Sequence, residues 1–308
     1  MNKKKIVSFF PAATEVLYAL EIDKLMMGRS HECTFPFETK FKRALSRPKW
    51  GVGNTGEDMD EIVSDLFNAA FSPYDIHHTA IKKMRPDVII TSSMYEDCGI
   101  SKDELEALAK NELGYDVEVL DFHINTIEDM FDMIEVIGEV IEVQGRAKRY
   151  LKLLKNRIKH LSTIINELSA KHQVLFFEWL NPTLVTGGWI PDVISSVGAN
   201  HVPTSAGDKA AELSFEDLMS IDPEIIVLGA KENGLDEVMD EIGKMSDYGK
   251  WTNLQSVQNK RVYAVNSKDL FSVPGPRMID AMEVFCDMLY PKTFLFGHKG
   301  KNFIPIRF

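Results

Sequence analysis

The sequence predicts an α/β protein of two lobes, each built on a central, mainly parallel sheet, with one long helix joining them. Three observations predict it. Short runs of strand formers alternate with helical stretches in both halves, as a parallel sheet covered by helices requires. A sustained helical stretch separates the halves. The chain, at 308 residues, is long enough for two domains of about 120 to 150 residues, each able to bury its own core.

The first lobe is expected over residues 1–125. Ile6-Val-Ser-Phe-Phe10 reads as a strand, Pro11-Ala-Ala-Thr14 as a loop and Glu15 to Leu20 as a helix, with Thr14 in capping position. Thr79 to Met84 reads as a helix stopped by Arg85-Pro86-Asp87, after which Val88-Ile-Ile-Thr91 is a buried strand by its β-branched composition. A helix around Lys102 to Asn111 precedes a third strand, Val117 to Asp121.

Residues 126–171 then read as sustained helix. Thr126 and Asp129 have the spacing of a capping box. Ile127, Met130, Phe131, Ile134 and Ile137 form one apolar stripe; Leu151, Leu154, Ile158, Leu161, Ile165 and Leu168 form a second. Gly145 is expected to separate the two helices. The second, from about Arg146 to Ala170, would span roughly 37 Å at 1.5 Å per residue.

The α/β rhythm returns in the second lobe, residues 172–308. Val174 to Glu178 and Ile225 to Leu228 read as strands, and so does Arg261 to Val265; Ile190 to Val197, Phe215 to Ile221 and Arg277 to Leu289 read as helices. Asp222-Pro-Glu-Ile-Ile-Val repeats the pattern of Arg85-Pro-Asp-Val-Ile-Ile, each after an amphipathic helix. Two lobes of similar topology would carry such a repeat.

A formal net charge of −11 argues against nucleic acid or an anionic membrane as the main partner, since both demand a basic face. Three cysteines, Cys33, Cys98 and Cys286, are too few for a disulfide framework. Lys3 to Lys5 and the apolar run behind them resemble the start of an export signal, but Pro11 and Glu15 interrupt it. A strand is read there, and a cytoplasmic station is expected. No apolar run reaches the roughly 18 residues of a membrane span.

In open α/β sheets ligands bind beyond the carboxyl ends of the strands, so the loops there hold the candidates. Phe10 to Glu15 presents Pro11 and Ala12. Gly28-Arg-Ser-His-Glu-Cys33 places His31, Glu32 and Cys33 on one turn. Imidazole and thiolate are metal ligands, and a neutral imidazole also serves as axial ligand to a tetrapyrrole metal. Cys98, in the loop after Thr91, would complete a metal set with His31 and Cys33; a buried inert thiol is the competing reading of each cysteine. Trp179 and Trp189 lie on loops with the pair Gly187-Gly188, flat apolar faces beside backbone that a ligand can approach closely. Trp50 is a further wall. Phe271 to Arg277 places an Arg at a helix start, suited to an anionic ligand edge. Neither dinucleotide nor phosphate-loop motifs occur, nor His-Glu-x-x-His nor Gly-x-Ser-x-Gly. A binding protein is expected, not an enzyme.

Taken in order, Ser8-Phe-Phe-Pro-Ala-Ala-Thr-Glu15, Gly28-Arg-Ser-His-Glu-Cys33, Arg85-Pro-Asp-Val-Ile-Ile90, Glu178-Trp-Leu-Asn-Pro182, Gly187-Gly-Trp-Ile-Pro191 and Pro274-Gly-Pro-Arg277 resemble the substrate-binding proteins of cobalamin, haem and iron-siderophore ABC importers. Within these the chain is most similar to a signal-less branch labelled cobalamin-binding. The resemblance implies the helical-backbone periplasmic-binding-protein fold, a corrinoid such as cobalamin or a similar macrocycle in the cleft between the lobes, and an ABC-importer permease as partner. By motif position it implies that Pro11, Ala12, Glu32 and Tyr95 line the first-lobe side, and Trp179, Trp189, Phe271 and Arg277 the second. Tyr95 stands where members of the branch often carry a first cysteine, and Val273 where they tend to have Arg.

Three functions therefore compete: reversible corrinoid binding; binding of haem, a siderophore or a transition metal through His31, Cys33 and Cys98; and a metal- or corrinoid-modifying enzyme with Cys33 as nucleophile.

Overall fold

The computed structural model describes residues 4–49, 74–94, 100–168, 171–230, 233–244 and 248–307. Two compact units emerge: Met1–His123 with Asp132–Tyr150, and Ile124–Phe131 with Leu151–Phe308. The α/β class with mainly parallel central sheets is the one observed.

Unit 1 contains β1 (Ile6–Ser8), α1 (Pro11–Ala19), β2 (Met26–Arg29), β3 (Arg43–Ala44), β4 (Ser46–Pro48), β5 (Tyr74–Ile76), α2 (His78–Met84), β6 (Val88–Thr91), α3 (Lys102–Leu108) and β7 (Glu118–Asp121). Its sheet runs β3-β2-β1-β6-β7 with every pairing parallel. β1 and β6 are buried along their whole length, as expected of strands covered on both faces. Val7, Phe9 and Ile89 pack with Ile81, Leu105 and Leu108 on one side.

Two elements differ from expectation. α1 begins at Pro11, not after Thr14. A proline at the first helical position has its φ set for the helix and lacks an N–H that would be unsatisfied there anyway. Thr14 is consequently inside the first turns, and its hydroxyl serves the site instead of a cap. The predicted helix from Lys102 ends at Leu108 and continues as a π-helical turn, Ala109–Leu113, closed by Gly114 at φ 73°.

Next come α4 (Ile127–Val140) and α5 (Gln144–Ile165), within both of which the chain passes between units. The capping box is present: the Asp129 amide donates to Thr126 Oγ1 at 3.1 Å and the Thr126 amide to Asp129 Oδ2 at 2.8 Å. The break between the helices falls at Glu142, with a left-handed φ of 60°, and not at Gly145, the second residue of α5. The Val143 amide bonds the Gly138 carbonyl at 2.7 Å, the six-to-one bond that closes a helix end. Gly138 is required for another reason: a Cβ there would lie 2.5 Å from Ala147 Cβ, so the two helices touch at backbone distance.

Unit 2 continues with β8 (Gln173–Leu180), β9 (Thr183–Val185), α6 (Ile190–Ser196), β10 (Asn200–His201), β11 (Ala211–Glu212), α7 (Phe215–Ile221), β12 (Ile225–Leu228), α8 (Leu235–Lys244), α9 (Tyr248–Trp251), α10 (Gln255–Gln258), β13 (Val262–Val265), α11 (Ser267–Leu270), α12 (Met278–Leu289) and β14 (Phe303–Ile306). The sheet order is β11-β9-β8-β12-β13-β14, with β10 beside the start of β8. β10, β8, β12 and β13 are parallel; β9 and β14 run antiparallel to them, and β11, antiparallel to β9, runs in the direction of β8. Phe177 meets Trp251 across 6.0 Å on one face, while Phe176 meets Phe271 and Phe285 at 5.5 and 6.4 Å on the other. Adjacent strand residues thus fill opposite cores.

The short repeat read from the sequence has one structural meaning in both units. Arg85 and Asp222 each end a helix, α2 and α7, in the left-handed region at φ 50° and 43°, and each precedes a proline and then a buried strand. Proline disfavours continued right-handed helix in the residue before it, so the chain turns at the same point twice.

Candidate functional site

Each sheet has its own carboxyl-end loops, and each set is built differently. In unit 1, Ser30 follows β2 and its amide donates to the Ser8 carbonyl at 2.9 Å, which fixes the start of the loop against the end of β1. Arg29 shapes the rest: its Nε donates to the Thr39 carbonyl at 2.8 Å and its Nη1 to the Ser30 carbonyl at 2.7 Å.

His31 and Glu32 are held on this loop by partners far away in sequence. The His31 amide donates to Ser46 Oγ at 3.1 Å, and Nδ1 lies 2.8 Å from the same oxygen. Tyr74 donates its hydroxyl to Glu32 Oε1 at 3.1 Å, and its ring lies 5.1 Å from the His31 ring. Half-burial, and secondarily the Arg29 charge, lower the His31 pKa. Its ring is therefore neutral at pH 7, the form in which imidazole binds a metal.

Cys33 has a different fate. Its side chain has no exposed surface, and its Sγ lies 3.1 Å from Thr14 Oγ1 and 3.4 Å from Ser30 Oγ. Thr14 in turn bonds Ser8 Oγ at 2.9 Å. This buried hydroxyl cluster locks β1, α1 and the β2 loop together. Burial pushes the Cys33 thiol pKa up, so the residue is neither an available metal ligand nor an activated nucleophile; both expectations are corrected, because the side chain points into the core. Iodoacetamide should leave Cys33 unlabelled in the native protein at pH 8 and label it in urea, read by peptide mass spectrometry. Rapid native labelling would contradict the burial. No cluster of three or more His, Cys, Asp or Glu suited to a metal occurs among the described residues. Cys98, Tyr95 and Trp50 lie outside them.

Pro11 is half-buried at the start of α1. Ala12 is fully buried, so its side chain packs the core and lines nothing. The sequence reading missed Phe35, which stands 46% exposed on the loop that carries His31 and Glu32. Ser46 and Tyr74 were missed too, since pairing across 15 and 42 residues leaves no local pattern.

In unit 2, Trp179 is half-buried near the end of β8, its indole N–H donating to the Asn181 carbonyl at 2.8 Å. Trp189, predicted beside it, is only 3% exposed. β9 folds back antiparallel on β8, and the Thr186 amide reaches the Phe176 carbonyl at 2.9 Å. Gly187 to Trp189 therefore run back along β8, away from its carboxyl end. The glycine pair does admit close backbone approach, but by the chain itself: the Gly188 amide donates to the Asp208 carbonyl at 2.8 Å. Phe271 is likewise corrected to a core residue, 7% exposed against Phe176 and Phe285. Arg277 is the N-cap residue of α12, half-buried, and its Nη1 donates to the Asp269 carbonyl.

The model of the periplasmic binding protein family matches residues 6–268. The chain is 24% identical over 300 residues to the ABC transporter substrate-binding lipoprotein YvrC of Bacillus subtilis (strain 168), covering 94% of this chain and 81% of that one. Among solved structures it is similar to the periplasmic vitamin B12 binding protein BtuF of Vibrio cholerae, with TM-score 0.68, 20% identity, and 93% and 96% of the two chains covered. It is also similar to a periplasmic haem-binding protein from Pseudomonas aeruginosa, with TM-score 0.70, 16% identity and 94% of each chain covered. These relatives overturn the expected cytoplasmic station: they are a lipoprotein and periplasmic proteins, which points outside the cytoplasm. The apolar run Ile6–Phe10, which the expectation read as a strand, is buried in the core of unit 1. No helix among the described residues is long and apolar enough to cross a membrane.

Proposed function

The chain belongs to the periplasmic binding protein family, and from that premise we propose that it is the substrate-binding receptor of an ABC importer, with a corrinoid such as cobalamin as cargo. It binds reversibly, performs no chemical step, and passes the cargo to a membrane permease. The observation that carries the reading is the carboxyl-end loop of unit 1, where Phe35 stays exposed while the adjoining His31 and Glu32 are braced by Ser46 and Tyr74. A flat aromatic face on a pre-organised loop suits a large ring ligand, because little conformational freedom is lost on binding. Trp179 is a partly exposed ring near the carboxyl end of β8 in unit 2.

Titration of the purified protein with cobalamin, followed by visible absorbance and calorimetry, is expected to give saturable one-to-one binding. Phe35→Ala should weaken it about tenfold, the loss typical of one stacked aromatic contact. Absence of binding at about 50 μM cobalamin, equivalent to less than about 6 kcal/mol of affinity, would remove the corrinoid reading.

One observation favours haem as a second reading. His31 is neutral, with Nδ1 engaged by Ser46, an arrangement that orients Nε2 as an axial ligand when the Nδ1 tautomer carries the proton. Under this reading haemin gives a shifted Soret band that His31→Ala abolishes. An unchanged band in that variant excludes His31 ligation.

A further inference from the structure

Beside α2 in unit 1 lies a cavity of about 330 Å3 lined by Arg43, Ile76, His77, His78, Thr79, Ala80 and Lys83. It shares no residue with the carboxyl-end loops described above. Its polar lining is entirely of groups that donate hydrogen bonds to an anion: one guanidinium, one ammonium, two imidazoles and a hydroxyl. Among the described residues no carboxylate lines it, in a chain of formal net charge −11.

His78 is engaged, its Nδ1 lying 3.0 Å from both carboxylate oxygens of Glu112. The side chains of Arg43, His77, Thr79 and Lys83 have no hydrogen-bond or ion-pair partner among the described residues, while Arg47 pairs with Asp75 at 3.0 Å. The backbone beneath is hydrogen-bonded to its neighbours. Arg43 sits on β3, in register with Gly28 of β2, and the His77 amide donates to the Leu45 carbonyl at 2.8 Å.

We propose that this cavity is an anion site that takes a phosphate group. Arg43 offers the planar fork that matches two phosphate oxygens, Lys83 a point charge, and Thr79 a hydroxyl donor. The volume exceeds that of phosphate alone and leaves room for the molecule carrying it. That carrier is a soluble phosphorylated compound or the headgroup of an anionic phospholipid, two sources of one chemistry. The second fits the neighbouring chain: Phe37 and Phe41, 66% and 76% exposed with Lys40 Nζ 3.2 Å from the Phe37 ring centroid, lead directly into β3. Exposed aromatics and lysines of this kind settle at a bilayer interface.

The test compares wild type with the Arg43→Ser/Lys83→Ser double variant in calorimetric titration with inorganic phosphate at low ionic strength, using chloride as control. In parallel, sedimentation with phosphatidylglycerol vesicles is compared with sedimentation with phosphatidylcholine vesicles. Both replaced side chains are exposed and unpaired, so circular dichroism and thermal midpoint should be unchanged. Saturable phosphate binding that the variant weakens by at least about tenfold supports the site with a soluble occupant. Sedimentation with phosphatidylglycerol alone, lost in the variant, supports it with a lipid occupant. Overturning the proposal takes either no binding in both arms or binding that the variant retains in full. Cobalamin and haemin titrations of the same variant should match wild type, so failure here and failure of the receptor reading are separately visible.

Discussion

Gly187→Ala is expected to destabilise the protein by about 3 kcal/mol, the upper part of the range for forcing extra volume into packed structure. A Cβ at Gly187 would lie 2.0 Å from the Asp208 carbonyl oxygen and 2.8 Å from its carbonyl carbon. These are backbone atoms, so no side-chain rotation relieves the clash. Separating the strands of chain also breaks two bonds that tie them, Gly188 N–H to the Asp208 carbonyl at 2.8 Å and Gly207 N–H to the Gly188 carbonyl at 2.9 Å. The consequence extends into α6, because Trp189 is its N-cap residue and Asp192 in its first turn accepts from the Ile127 amide at the start of α4, at 2.8 Å. Urea unfolding followed by far-ultraviolet circular dichroism measures the effect. A loss below about 1 kcal/mol would mean that the segment around Asp208 can move aside, against the packing described here.

Acidification should remove about 3 kcal/mol of stability through His201 alone, the energy equivalent of a shift from 6.5 unfolded to about 4 folded. The sign follows from the direction of that shift. Between pH 6.5 and 4 the unfolded chain binds a proton at this ring and the folded chain does not, so stability is complete above pH 6.5 and is lost progressively down to about pH 4. Burial is the leading cause, opposed by the hydrogen bond to Thr204. Both ring nitrogens are engaged in the neutral form: Nε2 accepts from the Phe176 amide at 3.2 Å, and Nδ1 lies 3.1 Å from the Thr204 carbonyl, which requires the proton at Nδ1. A second proton would go to Nε2 and face an N–H. Unfolding free energies of wild type and His201→Gln, measured at pH steps from 7 to 4, should diverge in slope. Parallel curves would show that His201 does not titrate in this window.

Much of the fold was legible because local spacing encodes it. Val88–Thr91 and Ile225–Leu228 are apolar but for Thr91, flanked by Arg85-Pro86 and Asp222-Pro223, and both strands fell on the predicted residues. Phe215–Ile221 did too, with Ser214 accepting from the Asp217 amide at its N-terminus. Strands that depend on a distant partner were not legible. β14 contains Pro305 and is a strand only because it lies at the edge of the sheet, antiparallel to β13. β3, two residues long, has no pattern of its own.

The candidate site divides along the same line. Residue types and loop order marked the segment His31–Glu32, Trp179 and the helix start at Arg277, since these are properties of chemistry and of strand-to-loop boundaries. Direction of side chains was not readable. Residue type leaves Cys33 either a ligand beside His31 or a buried inert thiol, and the turn that presents His31 to Ser46 and Tyr74 sends Cys33 to Thr14 and decides for the second. Trp189 was taken as a wall, yet the antiparallel return of β9 buries it.

By itself, then, the sequence determined the α/β class and the repeated helix–proline–strand device, both of which follow from periodicities of a few residues. Tertiary structure decided which of the marked side chains remain available to a ligand. It did so because burial and hydrogen bonding are settled between residues such as His31 and Ser46 or Glu32 and Tyr74, 15 and 42 positions apart. Over such separations the chain carries no local pattern, and only the register of β2 and β3 with the pairing of β4 and β5 brings the groups together.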